Sequence, residues 1–250
     1  MIKKSVYNKL VKLNLKHKSS AIALIDPDIK NDSKLGKIVN IANNAGFDAI
    51  FVGGSIIMDS LFDSRLKFIK SNTDLPVILF PGSSNQVSKE ADALLYLSLI
   101  SGRNPQYLIG EHVKSAPKIY SIGLETIPTG YILIDGGCKT SVEIISNTIS
   151  LPPNKMDIIL SHALAGQFLG QKLIYLEMGS NSNKTIDPEL VKYIKSKLSI
   201  PLIVGGGIKT VKSAKEISNS GADFIVLSSL LEQSLDMSYL KEVCDSIHEY

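Results

Sequence analysis

The sequence predicts an α/β fold, a single closed (β/α)8 barrel of the TIM type with an irregular or shortened third helix. Three observations predict it. Eight short, nearly continuous apolar runs recur along the chain, most closing on Gly, Asp, Ser or Glu. Amphipathic segments lie between most of them, and no linker rich in Pro, Gly or Ser divides the chain. Apolar runs without polar alternation suit parallel strands buried on both faces, and eight such units close a barrel. The length, 250 residues, fits either two small domains or one barrel; with eight units and no linker, residues 1–250 are expected to form one domain. An open doubly wound sheet is the competing architecture; the unit count and the late position of the anion-binding signals favour the barrel.

Residues 1–20 read as an N-terminal amphipathic helix with Val6, Leu10 and Leu13 on one face. The strands follow as AIALID (21–26), AIFVGG (49–54), PVILFP (76–81), ALLYLS (93–98), YILIDG (131–136), LIYLEM (173–178), PLIVGG (201–206) and FIVLSS (224–229). Helical patterns span 34–45, 58–70, 105–115, 141–149, 156–170, 187–198, 209–220 and 236–248. Only SSNQVSKEAD (83–92) separates the third and fourth strands, which is short for a barrel helix and predicts a thin or open wall. Pro117 to Thr129 is expected to hold extra structure before the fifth strand. Glu111 and His112 are expected to face solvent.

Bulk properties exclude several classes. A net charge of +3 without a basic run gives no reason to expect nucleic acid. The two cysteines, Cys138 and Cys244, make neither a disulfide framework nor a CxxC pair. The N-terminus lacks the apolar core of a signal peptide, and the longest apolar-rich stretches are far too short to span a bilayer. A cytoplasmic protein is expected, and contact with a membrane surface stays open.

In a barrel the chemistry sits at the C-terminal strand ends and in the loops that follow. Gly205-Gly206-Gly207 and Ser228-Ser229 follow the last two strands, where this fold customarily holds phosphate. Glycine lets the backbone approach an anion, and exposed N–H groups bind it; the alternative is a tight turn alone. Asp26-Pro27-Asp28 ends the first strand. One carboxylate there, with the Ser55 hydroxyl nearby, suits Mg²⁺; Asp28 is equally well a turn cap. Glu177 closes LIYLE, where a buried carboxylate is costly unless it binds something, and it could hydrogen-bond or deprotonate a substrate hydroxyl. Tyr175 points to the same side. Asp135 is either a second polar group in the mouth or a cap. His162 reads as a helix-surface or packing histidine, since no zinc spacing accompanies it.

Taken in order, LIDPD, FVGGS, LFPGS, YLEMGSN and PLIVGGGIK, with ADALLYLSLISGRNPQYLIGEH between them, resemble the geranylgeranylglyceryl phosphate synthase family, in its archaeal-like branch, related to the bacterial heptaprenylglyceryl phosphate synthases. The resemblance implies a modified barrel. It would join the sn-3 hydroxyl of sn-glycerol 1-phosphate to a polyprenyl diphosphate, geranylgeranyl diphosphate first, with Mg²⁺ and release of diphosphate. Matched residue by residue, it puts Asp26 and Ser55 at the metal. It puts Tyr175, Leu176, Glu177, Met178, Gly179, Ser180 and Asn181 on the glycerol phosphate, with Glu177 on the glycerol hydroxyls as the catalytic group. Gly206, Gly207, Ser228 and Ser229 fall on the phosphate. It also implies a homo-oligomer, a dimer or larger. Ser228-Ser229 departs from the Gly-Asn or Gly-Thr common in the family, and DPDIK sets Lys30 one place later than DPDK.

Two other readings follow from the residues alone. One is a sugar-phosphate or phosphoribosyl isomerase with Asp26 and Asp135 as its acid/base pair. The other is a phosphate-binding barrel without catalysis.

Overall fold

The apolar runs pair into parallel strands whose residues alternate between two cores. The computed structural model describes residues 5–14, 16–179, 182 and 184–249. Eight strands close in sequence order: β1 (Ser20–Ile25), β2 (Ala49–Val52), β3 (Val77–Leu79), β4 (Ala93–Leu99), β5 (Glu125–Leu133), β6 (Leu173–Glu177), β7 (Leu202–Gly205) and β8 (Phe224–Leu227). Pairing of Ser20 with Phe224 through Ala23 with Leu227 seals the ring. Ile22, Leu24, Phe51, Leu173, Tyr175, Phe224 and Val226 fill the barrel interior. Their neighbours Ala21, Ala23, Ile25, Ile174 and Leu176 pack outward against the helices. The two-residue period of a strand thus explains why every strand is apolar on both faces.

The surrounding helices are α2 (Leu35–Asn44), α3 (Phe62–Ser71), α4 (Glu111–Ile122), α5 (Ser141–Ser146), α6 (Met156–Phe168), α7 (Pro188–Lys195), α8 (Val211–Asn219), α9 (Ser229–Ser234) and α10 (Met237–His248). Before them, α1 (Val6–Leu13) lies across the N-terminal mouth of the barrel. Its Leu10 is buried in the interior cluster, with Val6 and Leu13 packed against it, a burial worth roughly 2 kcal/mol for Leu10 alone. Glu125 at the start of β5 anchors α1 by accepting from Ser5 Oγ (2.6 Å) and from the Val6 and Tyr7 N–H groups (2.7 and 3.1 Å). A carboxylate there satisfies first-turn donors that have no intrahelical partner.

Two departures from the sequence expectation shape the site. The stretch from Pro117 to Thr129 holds no extra layer. Helix α4 runs on to Ile122, Gly123 ends it in the left-handed region (φ 62°), and β5 begins at Glu125. Backbone pairing with β4, from Ala93 with Glu125 to Leu99 with Tyr131, accounts for the early start. Between β3 and β4, as the short spacing implied, a single 3-10 turn (Ser84–Gln86) replaces a helix. Buried Gln86 ties that turn to the barrel by donating to Gly54 O (2.6 Å) and accepting from Gly54 N (3.3 Å). A whole helix is therefore absent from one sector of the wall, and that sector is open.

Candidate active site

The C-terminal mouth gathers its polar groups around Glu177. The inward phase of β6 carries Tyr175 and Glu177 into the mouth, whereas Leu176 and Met178 turn to the helix layer. Glu177 is only 6% exposed. Burial pushes its pKa up to about 7, against the opposing pull of the Gly179 N–H, which donates to Oε1 at 2.6 Å, and of the Tyr175 hydroxyl. Tyr175 Oη sits beside the carboxylate, outside hydrogen-bonding geometry, and is a buried hydroxyl without a partner among the described residues. A group poised near neutrality in a cleft is suited to proton transfer.

One flank of the mouth is backbone. Gly206 and Gly207 take positive φ (91° and 69°). A Cβ at Gly206 would come within 2.7 Å of Gly179 N and 2.8 Å of Glu177 Oε1, so a side chain there would collide with the end of β6. Gly206, Gly207, Ser228 and Ser229 line one small cavity with Tyr175 and Glu177. Ser228 precedes α9 without capping it, so first-turn amides stand uncapped beside that cavity. Gly179 borders the adjoining space, while Ser180 and Asn181 lie outside the described residues.

The opposite flank carries charge. Asp26, Lys30, Ser55, Glu232 and Glu177 line a common space of about 1120 Å³. Lys30 Nζ meets Asp26 Oδ2 at 2.5 Å, yet Asp26 Oδ1 is buried without a partner among the described residues. Arg65 braces the loop beneath: buried itself, it donates to Pro27 O (3.2 Å) and pairs with Asp32 and Asp59. Asp28 is buried and caps the turn, accepting from Lys30 N (3.4 Å) and Met58 N (3.1 Å). Asp135 is exposed, accepts from Gly137 N (2.8 Å), and does not line the space around Asp26. The Asp26–Asp135 pair of an isomerase is therefore not assembled. His162 lies on the surface of α6 near Arg103.

From the mouth an apolar groove of about 850 Å³ runs through the sector that lacks a helix. Phe80, Tyr131, Ser55 and Val142 border both spaces. The rings of Phe80, Tyr131 and Tyr175 pack at 5.2 to 5.8 Å between centroids. Glu111 and His112 line this groove and do not face solvent as expected. Glu111 accepts from Ser84 N (2.6 Å), and His112 is buried edge-on to Tyr96 with its carbonyl taking the Tyr96 hydroxyl (2.7 Å). Burial lowers the His112 pKa, which keeps the ring neutral and the groove apolar. These two were missed because Gln106–Gly110 winds as a π-turn before α4 begins at Glu111, which shifts the helical phase from that of a regular helix over 105–115. Glu232 and Lys30 were also missed; a charged residue one turn beyond each strand-end motif was the available signal.

Comparison with known proteins agrees with this geometry. A sequence profile of the PcrB family matches residues 14–246. A geranylgeranylglyceryl phosphate synthase of Chitinophaga pinensis is 43% identical, covering 97% of this chain and 96% of the relative. One from Methanosphaera stadtmanae is 40% identical over 94% and 96%. The crystal structure of (S)-3-O-geranylgeranylglyceryl phosphate synthase from Thermoplasma acidophilum, in complex with its substrate sn-glycerol-1-phosphate, superposes with a TM-score of 0.92 at 35% identity, over 98% of this chain and 99% of that one.

Proposed function

This chain belongs to the PcrB/geranylgeranylglyceryl phosphate synthase family, and from that premise we propose that it joins the sn-3 hydroxyl of sn-glycerol 1-phosphate to a polyprenyl diphosphate, geranylgeranyl diphosphate first, in ether-lipid synthesis. One observation carries the reading. A buried carboxylate with its pKa near 7 lies between a glycine- and amide-rich corner and the entrance of an 850 Å³ apolar groove. An anionic head and a long apolar tail would meet there at a base.

In this reading the phosphate of the acceptor sits on Gly206, Gly207, Ser228 and Ser229, with Gly179 beside it. Glu177 orients the glycerol hydroxyl and takes its proton as that oxygen bonds to C1 of the prenyl chain. The bond from C1 to the diphosphate oxygen breaks at the same time, and diphosphate leaves. Holding the two reactants in line supplies much of the rate. Lys30 lies beside the leaving group and binds its growing charge. Asp26 and Ser55 suit Mg²⁺: both offer hard oxygen atoms, and Asp26 Oδ1 is a buried acceptor with nothing to accept. Bound there, the ion supplies neutralisation of the charge that gathers on diphosphate.

Incubation with sn-glycerol 1-phosphate, geranylgeranyl diphosphate and Mg²⁺ should give an ether product by mass spectrometry. EDTA or sn-glycerol 3-phosphate should suppress it. Folded protein that yields no ether with any prenyl length would sink the assignment.

The groove makes a second prediction. Ser115 is buried on its α4 wall, bonded to Glu111 O (2.8 Å). Ser115→Phe fills part of that space. It should cut kcat/KM for the geranylgeranyl substrate at least ~10-fold while changing that for a ten-carbon substrate about 3-fold or less. Equal losses for both would show that the tail runs elsewhere. No helix among the described residues is long and apolar enough to cross a membrane. Exposed Ile149, Phe168 and Leu169 near α5 and α6 are where we place the contact of a homo-oligomer or of a bilayer surface.

A further inference from the structure

At the opposite end of the barrel, away from the mouth, three side chains from distant parts of the chain converge. His17 precedes β1, Asp48 precedes β2, and His248 ends α10. His248 Nε2 lies 2.9 Å from Asp48 Oδ2, and His17 Nε2 lies 3.9 Å from Asp48 Oδ1. The two imidazoles stack with centroids 4.1 Å apart and planes at 24°.

We propose that His17, Asp48 and His248 form a second metal site, for a borderline divalent ion of the zinc type, that fastens both chain ends to the base of the barrel. A hydrogen-bonded ion pair accounts for His248 but not for His17, whose nitrogen faces the other carboxylate oxygen from beyond hydrogen-bond reach. One shared cation accounts for both. The three donor atoms lie within 4.8 Å of one another. Tetrahedral zinc with bonds of about 2.0–2.1 Å needs neighbouring donors roughly 3.3 Å apart. The observed 2.9 and 3.9 Å, to the two oxygens of Asp48, straddle that value, and because the rings are stacked one imidazole turns on binding so that both Nε2 lone pairs meet the ion. Two imidazoles and one carboxylate select zinc, or cobalt in its place, over magnesium. Solvent at the half-exposed edge of His17 supplies the remaining ligand.

The carboxylate and the two histidine-bearing segments are already held in place. Asp48 is nearly buried, and its Oδ2 also accepts the Ala21 N–H at 2.9 Å, which fixes the carboxylate as an outer partner fixes a metal ligand. The Lys18 N–H donates to His248 O at 3.3 Å, which holds the two histidine segments together. Conserving the barrel seam is a stability role, as expected of groups at this end of the fold. The site lies on the far side of the interior core from Asp26 and Glu177, so it is distinct from the Mg²⁺ proposed there.

The test is a Co²⁺ titration of the full chain in millimolar Mg²⁺, read by visible absorption. One equivalent should give the ligand-field bands of a four- or five-coordinate ion. His17→Gln and His248→Gln should abolish them while prenyl transfer stays intact, and Asp26→Asn should leave them unchanged. Zinc at a hundredfold over its Kd should raise Tm of the unsubstituted protein by about 5–10 °C and not that of either histidine variant. Should a variant misfold, the unsubstituted protein still decides: zinc should shield His17 and His248 from diethylpyrocarbonate, mapped by mass spectrometry. Absence of such bands, bands indifferent to both histidines, or unshielded histidines would leave an ion pair only and overturn the proposal.

Discussion

Glu177→Gln should remove most of the turnover and at the same time stabilise the fold. The carboxylate is the base of the proposed mechanism, and loss of a positioned general base lowers kcat by about 10²–10⁴-fold. The stability gain follows from the same burial that tunes it. Folded Glu177 titrates near 7, against an ordinary value of 4.5. The folded state therefore binds this proton more tightly than the unfolded chain does. Rising pH deprotonates the unfolded chain first, so stability falls between pH 4.5 and 7, by roughly 3–4 kcal/mol in all. Glutamine is isosteric and uncharged, and its oxygen can keep the Gly179 N–H. Calorimetry without substrates should place Tm of the variant about 5–10 °C above the parent at pH 8, with the gap largely closed at pH 5. In the parent, kcat/KM should rise with pH along a limb near 7. A variant whose advantage over the parent is no larger at pH 8 than at pH 5 would mean that Glu177 carries no such strain.

The sequence made the barrel legible because strand burial on two faces leaves a mark that survives without tertiary knowledge. All eight apolar runs became strands, and the missing helix after the third was visible as a spacing of ten residues. Edges were less legible. Strand β5 starts at Glu125 because β4 is there to pair with it, and no local feature of ETIPTG announces a partner. Glu111 and His112 were hidden in a similar way, since their inward face follows from the π-turn over Gln106–Gly110 that precedes α4. Within the mouth, Glu177, Asp26 and the glycines could be found because strand ends are a position in the sequence. Glu232 and Lys30 lie one turn beyond those ends and reach back into the mouth, so a reading confined to the strand ends passed over them. The base of the barrel was wholly illegible: His17, Asp48 and His248 share no spacing, and only barrel closure brings residue 17 against residue 248.

Asp26→Ala should lower kcat/KM at least ~10²-fold and raise the Mg²⁺ concentration for half-maximal rate by about 10-fold or more, while Glu232→Gln should leave that Mg²⁺ midpoint within about 3-fold of the parent. Both carboxylates line the same space, so proximity alone does not choose between them. Their partners do. Glu232 already accepts from Asn31 Nδ2 (3.2 Å), and burial raises its pKa, which weakens it as an anionic ligand. Asp26 keeps one buried oxygen without a donor among the described residues, and its ion-pair partner is Lys30, on a side chain 60% exposed that can swing toward the diphosphate. An orphaned acceptor at that depth is unfavourable unless a cation or donor arrives, so the loop stores a preference for one. Removing Asp26 should leave stability nearly unchanged without metal, because the lost ion pair is largely solvated and the orphan goes with it. Initial rates across a Mg²⁺ titration, run on both variants, separate the two carboxylates. A midpoint that moves with Glu232 and stays put with Asp26 would transfer the metal to α9 and leave Asp26 as a holder of Lys30.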